Sequence, residues 1–362
     1  MSASAYIYIA SGLLLLTVGA HALARGLGRL ALYTGGSQRL AGLFVMLALV
    51  APDTAVSLKA AWEGNGDLAV GNVIGSGIAN LSLALGAIAL LVPLSISPRT
   101  TRLDSPALIL AAGLTWLLCH DGLVTAAEAY VLLATYAAYC VWLTMRHAPL
   151  LTALGRDAIS AVSRSRRPAL SIALETIATL AGLALLIVGT DAMERGAVEM
   201  ARELGLSELA VGLTVIAAGT SLPVVLVCLI TAAQGHREVA IQLLIASVIA
   251  NSLLALGTAA ALPGKALSVS PNALSFDLPV MLAACVASSL LFSSSLKVGR
   301  LKALCLLGYY GLYVLYLALF AAGIPHFDTY RHLLFAYVMP ATALLLLAML
   351  VWSLSRKALG KG

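Results

Sequence analysis

Apolar runs of about 20 residues follow one another along nearly the whole chain, each long enough to cross a hydrocarbon core about 30 Å thick. In lipid every backbone polar group has to find its partner within the segment, so runs of this kind form helices. The chain has 362 residues, of which 61% are hydrophobic and 10% charged. Soluble domains carry about 25% charged residues, and no stretch here is polar enough to form one. The fold class is an all-α polytopic membrane protein. Eleven spans are expected, over 5–31, 40–62, 68–92, 104–120, 123–145, 169–193, 207–233, 239–262, 276–295, 301–323 and 332–354.

The distribution of Lys and Arg sets an orientation. With the N-terminus outside, 17 of the 22 Lys and Arg residues fall on the cytoplasmic side and 5 outside, as the positive-inside rule requires. An N-out, C-in chain needs an odd number of spans. The net charge of +6 then reports topology and gives no reason to expect a nucleic-acid partner. The partners expected are the lipid bilayer and a transported cation; nothing identifies a protein partner. No basic residue precedes the first apolar run, which argues against a cleaved signal peptide. Cys119, Cys140, Cys228, Cys285 and Cys305 lie scattered within or beside apolar runs and read as small apolar side chains. No nucleophile–base arrangement, phosphate loop or His/Cys cluster points to an enzyme, and no cofactor is implied. The Ala-rich composition and short loops fit a bacterial inner membrane.

The chain repeats itself. "GLLLLTVGAHALARG" (Gly12–Gly26) and "GLALLIVGTDAMERG" (Gly182–Gly196) share nine of fifteen residues. "SGIANLSLALG" (Ser76–Gly86) and "SVIANSLLALG" (Ser247–Gly257) share eight of eleven. Asp104 and Asp277 also fall in register, each shortly before a proline, and read as N-terminal helix caps. Each unit holds five spans, so the second enters the membrane from the opposite side. Inverted repeats of this kind mark secondary transporters, with the substrate site at the repeat interface. The expected organisation is a first five-helix repeat over 1–146, a basic cytoplasmic linker over 147–168, a second repeat over 169–323, and an extra helix with a basic tail over 324–362.

Within the spans a few polar positions stand out. "LVAPDTAV" (Leu49–Val56) places Pro52 and Asp53 in mid-span, and Pro223 occupies the matched place in "GTSLPVV". Proline removes a backbone donor and frees a carbonyl. Two readings stand: a simple kink, or a pair of helix-breaking prolines (Pro52, Pro223) that expose backbone to an ion. Asp53 is the one acid deep inside an N-terminal span. It is either an ion ligand or a structural acid bonded to a neighbouring helix. Ser76 and Asn80, and likewise Ser247 and Asn251, are four residues apart and share a helix face.

"GLTVIAAGTSLP", "GNVIGSGIAN" and "LALG" resemble the two alpha repeats of the calcium/cation antiporter superfamily, the sodium/calcium exchanger group. The resemblance runs through residue 323 and is most specific over Leu68–Gly86 and Gly212–Pro223. It implies a ten-helix inverted repeat that exchanges Ca²⁺ for Na⁺, H⁺ or K⁺ by alternating access. By position, it makes Asp53, Ser76, Asn80, Thr220, Ser221, Ser247 and Asn251 the ion-binding residues. Asp53, Asn80 and Asn251 would be the metal ligands, for Ca²⁺ or Na⁺, with backbone carbonyls near Leu47 and Ala217. The chain departs from the family pattern at several places. Val224 replaces the second acid; Ala48, Leu49 and Val50 replace the first Gly-Thr-Ser; Gly77 and Val248 replace an Asn; Gln242 and Leu243 replace a Gly-Asn.

These losses bear on the cargo. Ca²⁺ takes six to eight oxygens, several of them anionic, and one carboxylate leaves a divalent ion uncompensated. The expected function is a secondary-active cation antiporter of the sodium/calcium exchanger type, carrying Ca²⁺ by resemblance against Na⁺ or H⁺. Two alternatives stand beside it. One is the same scaffold with a monovalent or organic cargo and proton coupling at Asp53. The other is a membrane sensor or partner protein that does not transport.

Overall fold

The computed structural model describes residues 3–146, 150–156, 168–205 and 207–321. The expected eleventh span, the C-terminal tail and much of the linker lie outside these. The described chain is helical apart from four two-residue strands. Among the described residues eight helices are long and apolar enough to span a bilayer, or nine if the pair Leu209–Thr220 and Leu222–Ala233, bent by 43°, is one span. The expected span over 104–120 appears as a π-turn, Thr100–Asp104, running into α5, Ser105–Leu118.

Two long helices, α1 (Ala3–Tyr33) and α8 (Pro168–Leu204), form the outer frame. At 1.5 Å per residue they measure about 46 and 55 Å, so each has to tilt or project beyond a bilayer core. They pack antiparallel through glycines spaced seven apart: Gly12 meets Gly189 and Gly19 meets Gly182, while Gly26 meets Glu175 and Thr179 of α8 and Gly196 meets Ala5 and Ile9 of α1. A Cβ on Gly182 would lie 2.7 Å from the Leu23 amide nitrogen, and one on Gly12 would lie 2.8 Å from that of Met193. Small residues allow this backbone approach where lipid supplies no hydrophobic drive between helices.

Inside this frame stand α2 (Gln38–Trp62), α3 (Gly66–Ile78) and α12 (Arg237–Ala250). The most apolar window of Gly66–Leu91 is 83% buried and that of Arg237–Ala261 94%, against 22% for the one within α8. These two helices are the centre of the protein. Each passes through a π-turn, Ala79–Ala84 and Asn251–Ala255, that starts beside Asn80 and at Asn251 respectively. Such turns recur at functional sites because they re-aim side chains.

The strands tie the two halves together. Leu94 pairs with Val298, and Leu123 with Ser268, both antiparallel. Each strand of the first half therefore pairs with one of the second.

Two expectations about local structure are corrected. Asp104 and Asp277 are not helix caps: neither makes a side-chain cap hydrogen bond. The π-turns Thr100–Asp104 and Ala273–Asp277 extend each helix backward, so neither residue lies at a helix end. Both are buried, and Asp277 accepts from the Tyr313 hydroxyl and the Asn272 amide. The second correction concerns Pro52. Helix α2 runs through it without a break. The second half does turn, at Ser221, with Pro223 in the first turn of α11, Leu222–Ala233. The preceding residues account for the difference. Ala48-Leu49-Val50-Ala51 are apolar and include good helix formers, whereas Gly219-Thr220-Ser221 favour the helix less. In α2 the carbonyl that Pro52 leaves without its donor is that of Ala48, and the Thr54 hydroxyl donates nearby to the Val50 carbonyl at 3.2 Å.

Candidate ion site

Asp53 is fully buried, on α2 one residue after the proline. Its Oδ1 accepts from the Ser76 hydroxyl of α3 at 2.5 Å and from the Thr220 hydroxyl at 2.8 Å. Thr220 closes the short helix α10, Ala217–Thr220, just before the bend at Ser221. Three segments from two halves of the chain thus converge on one carboxylate oxygen. Close backbone packing makes this possible: a Cβ on Gly75 would lie 2.4 Å from the Leu213 carbonyl oxygen.

A second contact joins the halves below this point. The Asn80 amide donates to the Ser247 hydroxyl at 3.0 Å. Asn251, one turn beyond Ser247, lies beside the Asp53 carboxyl without closing a hydrogen bond to it. The Ala217 carbonyl, expected near the ion, lies 3.3 Å from the Ser76 hydroxyl, whose nearer acceptor is Asp53 Oδ1. Nothing places Leu47 in this network.

The carrying feature is what these groups leave unmade. Asp53 Oδ2, Asn80 Oδ1, Ser221 Oγ and both polar atoms of the Asn251 amide are buried with no hydrogen-bond partner among the described residues. Each unsatisfied buried polar atom costs about 1–3 kcal/mol. Such groups are rare in native proteins, and an ion or ordered water can meet them. Three of the oxygens, from Asp53, Asn80 and Asn251, could ligate a cation. No group of three or more His, Cys, Asp and Glu side chains suited to a metal occurs among the described residues. Val224, where a second acid would stand, is itself buried.

Sequence reasoning overlooked Asn72 and Ser57. The Asn72 amide donates to the Asp53 carbonyl at 3.0 Å and to the Ser57 hydroxyl at 2.9 Å, and its oxygen lies 3.1 Å from the Thr220 hydroxyl. It braces the backbone that carries the acid. The signal was present: Asn72, Ser76 and Asn80 recur every four residues on one face of α3. Leu243 occupies the corresponding place before Ser247, so the second half lacks this brace.

Thr220 has one hydrogen and four acceptors within reach, of which Asp53 Oδ1 is the nearest. Thr220→Val keeps the shape and removes the bond. A hydrogen bond to a charged group contributes about 1.5–3 kcal/mol. The expected result is at least about a tenfold rise in the cation concentration for half-maximal transport, read in vesicles at matched protein level.

The sequence profile described as sodium/calcium exchanger protein matches residues 4–145 and 174–319. The chain is 34% identical over 302 residues to "Putative antiporter CaxA" of Alkalimonas amylolytica, covering 82% of this chain and 92% of that one. The fold is similar to that of an H⁺/Ca²⁺ exchanger CAX, with a TM-score of 0.71 at 16% identity over 97% of this chain and 92% of that one. It is also similar to the sodium-calcium exchanger NCX_Mj, with a TM-score of 0.58 at 24% identity over 86% and 98% of the two chains. The chain belongs to the sodium/calcium exchanger family of membrane cation antiporters.

Proposed function

We propose that this antiporter exchanges Na⁺ for H⁺ at a site with a single charge, Asp53, by alternating access between two inverted repeats. The carrying observation is that lone buried carboxylate with one oxygen unpartnered, beside the open amide oxygens of Asn80 and Asn251. A proton or one Na⁺ neutralises the site; emptied, it holds a bare anion. Moving that anion through the apolar interior is costly. The loaded carrier therefore reorients and the empty one does not, which is the coupling rule of an exchanger. Ser76, Thr220, Ser221 and Ser247 supply neutral oxygens around the same point, and Asn72 holds the backbone in place.

The two-repeat reading is supported by the matched π-turns and by strand pairs that join one half to the other. We infer units over 1–146 and 169–323, with the N-terminus outside and the linker in the cytoplasm, in a bacterial inner membrane. Ca²⁺ is the second reading, favoured by the family description and by the number of open oxygens. It leaves one uncompensated positive charge at the site.

Purified protein in liposomes with an internal pH dye separates the readings. An outward Na⁺ gradient is expected to acidify the lumen by driving H⁺ inward, and an outward Ca²⁺ gradient to do so at least about tenfold more weakly. Proton movement driven by Ca²⁺ and not by Na⁺ transfers the assignment to the second reading.

A further inference from the structure

A partly enclosed cavity of about 330 Å³ opens at the end of the molecule where α1 and α11 finish and α2 and α12 begin. Its lining includes Leu49, one helical turn before Asp53 on α2. Its walls carry His21, Arg25 and Arg29 of α1, His236 from the turn after α11, and Arg156 of α7, the described helical residues 150–156 of the linker. That helix is firmly seated. Gln38 donates to the Thr152 carbonyl at 2.6 Å, and a Cβ on Gly42 would collide with the Leu151 carbonyl.

The charges in this cavity do not balance. Glu175 of α8 pairs with Arg29 at 2.6 Å and approaches Arg25 at 3.7 Å. Arg156 meets no acid among the described residues; its Nη1 lies 3.5 Å from His236 Nε2. A cation carrier gains nothing from a positive mouth, because the field repels its cargo and lowers the rate of entry. Three guanidinium groups and two imidazoles arriving from three separate elements instead match a planar-fork recognition of phosphate. The volume falls within the range of small-molecule pockets, about 300–1,000 Å³.

We propose that this vestibule binds a phosphate-bearing anion, which bridges the linker helix to α1 and to the α11–α12 turn. The anion neutralises the mouth and stands across the route to Leu49, so its binding controls access to Asp53 from that end. Two sources share the chemistry, a soluble phosphate compound and a phospholipid headgroup.

The test is the thermal midpoint of the full-length protein in neutral detergent. Inorganic pyrophosphate is titrated against sodium chloride at matched ionic strength, and phosphatidylglycerol against phosphatidylcholine. A ligand that binds the folded form alone raises the midpoint saturably. That rise is expected, with half-saturation shifted at least tenfold upward in the double variant Arg156→Gln/His236→Gln and by a smaller factor in Arg156→Lys, which keeps the charge and loses the fork. Saturation by pyrophosphate assigns a soluble source; a rise with phosphatidylglycerol alone assigns the headgroup. No saturable rise with either probe, or an equal rise in the double variant, overturns the proposal. Asp53→Asn protein is expected to bind the probe as the unaltered protein does, so this outcome stands apart from the identity of the cargo.

Discussion

Asp53→Asn is expected to reduce Na⁺-driven proton movement to the level of protein-free liposomes, a loss of at least about 100-fold. The substitution is close to isosteric and separates the two roles an intramembrane acid can have. As a structural acid, Asp53 serves by accepting from Ser76 and Thr220 at Oδ1. The Asn carbonyl oxygen can accept both bonds, so the helix contacts survive and the thermal midpoint changes little. As an ion ligand, Asp53 serves through its charge, and Asn has none. A charge-neutral site has no anion to compensate a proton or a cation, and the coupling rule disappears with it. Lost transport with an unchanged midpoint supports the ion site. Retained transport at normal protein level overturns it and leaves Asp53 as helix glue.

Gly182→Leu is expected to abolish recovery of folded protein. A single Cβ at this position already meets the Leu23 amide nitrogen at 2.7 Å and the Gly19 carbonyl oxygen at 2.9 Å. Both are backbone atoms, so no rotamer change relieves the contact and α1 and α8 have to separate. Overpacking usually costs about 1–3 kcal/mol, and a full Leu in a backbone contact lies at or beyond the upper end. Gly182→Ala is the graded version, expected to lower the thermal midpoint measurably. Gly308→Ala is the contrast. Its Cβ would meet nothing within 4 Å among the described residues, and replacing a helical Gly by Ala contributes about 0.5–1 kcal/mol of stability. Monodisperse yield on size exclusion and the melting midpoint report both. Equal effects at the two positions would show that the glycine stripe does not hold the frame.

Several site residues could be read without a structure because membrane chemistry leaves few reasons for a polar side chain in a span. Asp53, Ser76, Asn80, Ser247 and Asn251 stood out on that ground, Thr220 only through the family resemblance, and folding brings Asp53 into contact with Ser76 and Thr220, and Asn80 with Ser247. Asn72 was harder to see. It sits inside a motif with two glycines, and its task is to hold a backbone carbonyl on another helix, which no local pattern announces. The acids Asp104 and Asp277 misled for a similar reason. Asp-x-Pro or Asp-Leu-Pro at the start of an apolar run looks like a cap. The π-turns that bury both residues depend on packing against neighbouring helices.

The sequence by itself determined the class of molecule, its internal repetition and the small set of polar residues inside its spans. Each follows from a cost that is local: an unsatisfied peptide group in lipid, a buried carboxylate, a repeated pattern of Gly and Asn. Only the tertiary structure decided that Pro52 stays within a continuous helix while its counterpart lies beside a bend. It alone showed that the described part of the linker, residues 150–156, lines a cavity. Those outcomes are set by which backbones approach closely enough to satisfy or crowd one another, and that is a property of pairs of helices distant in the chain.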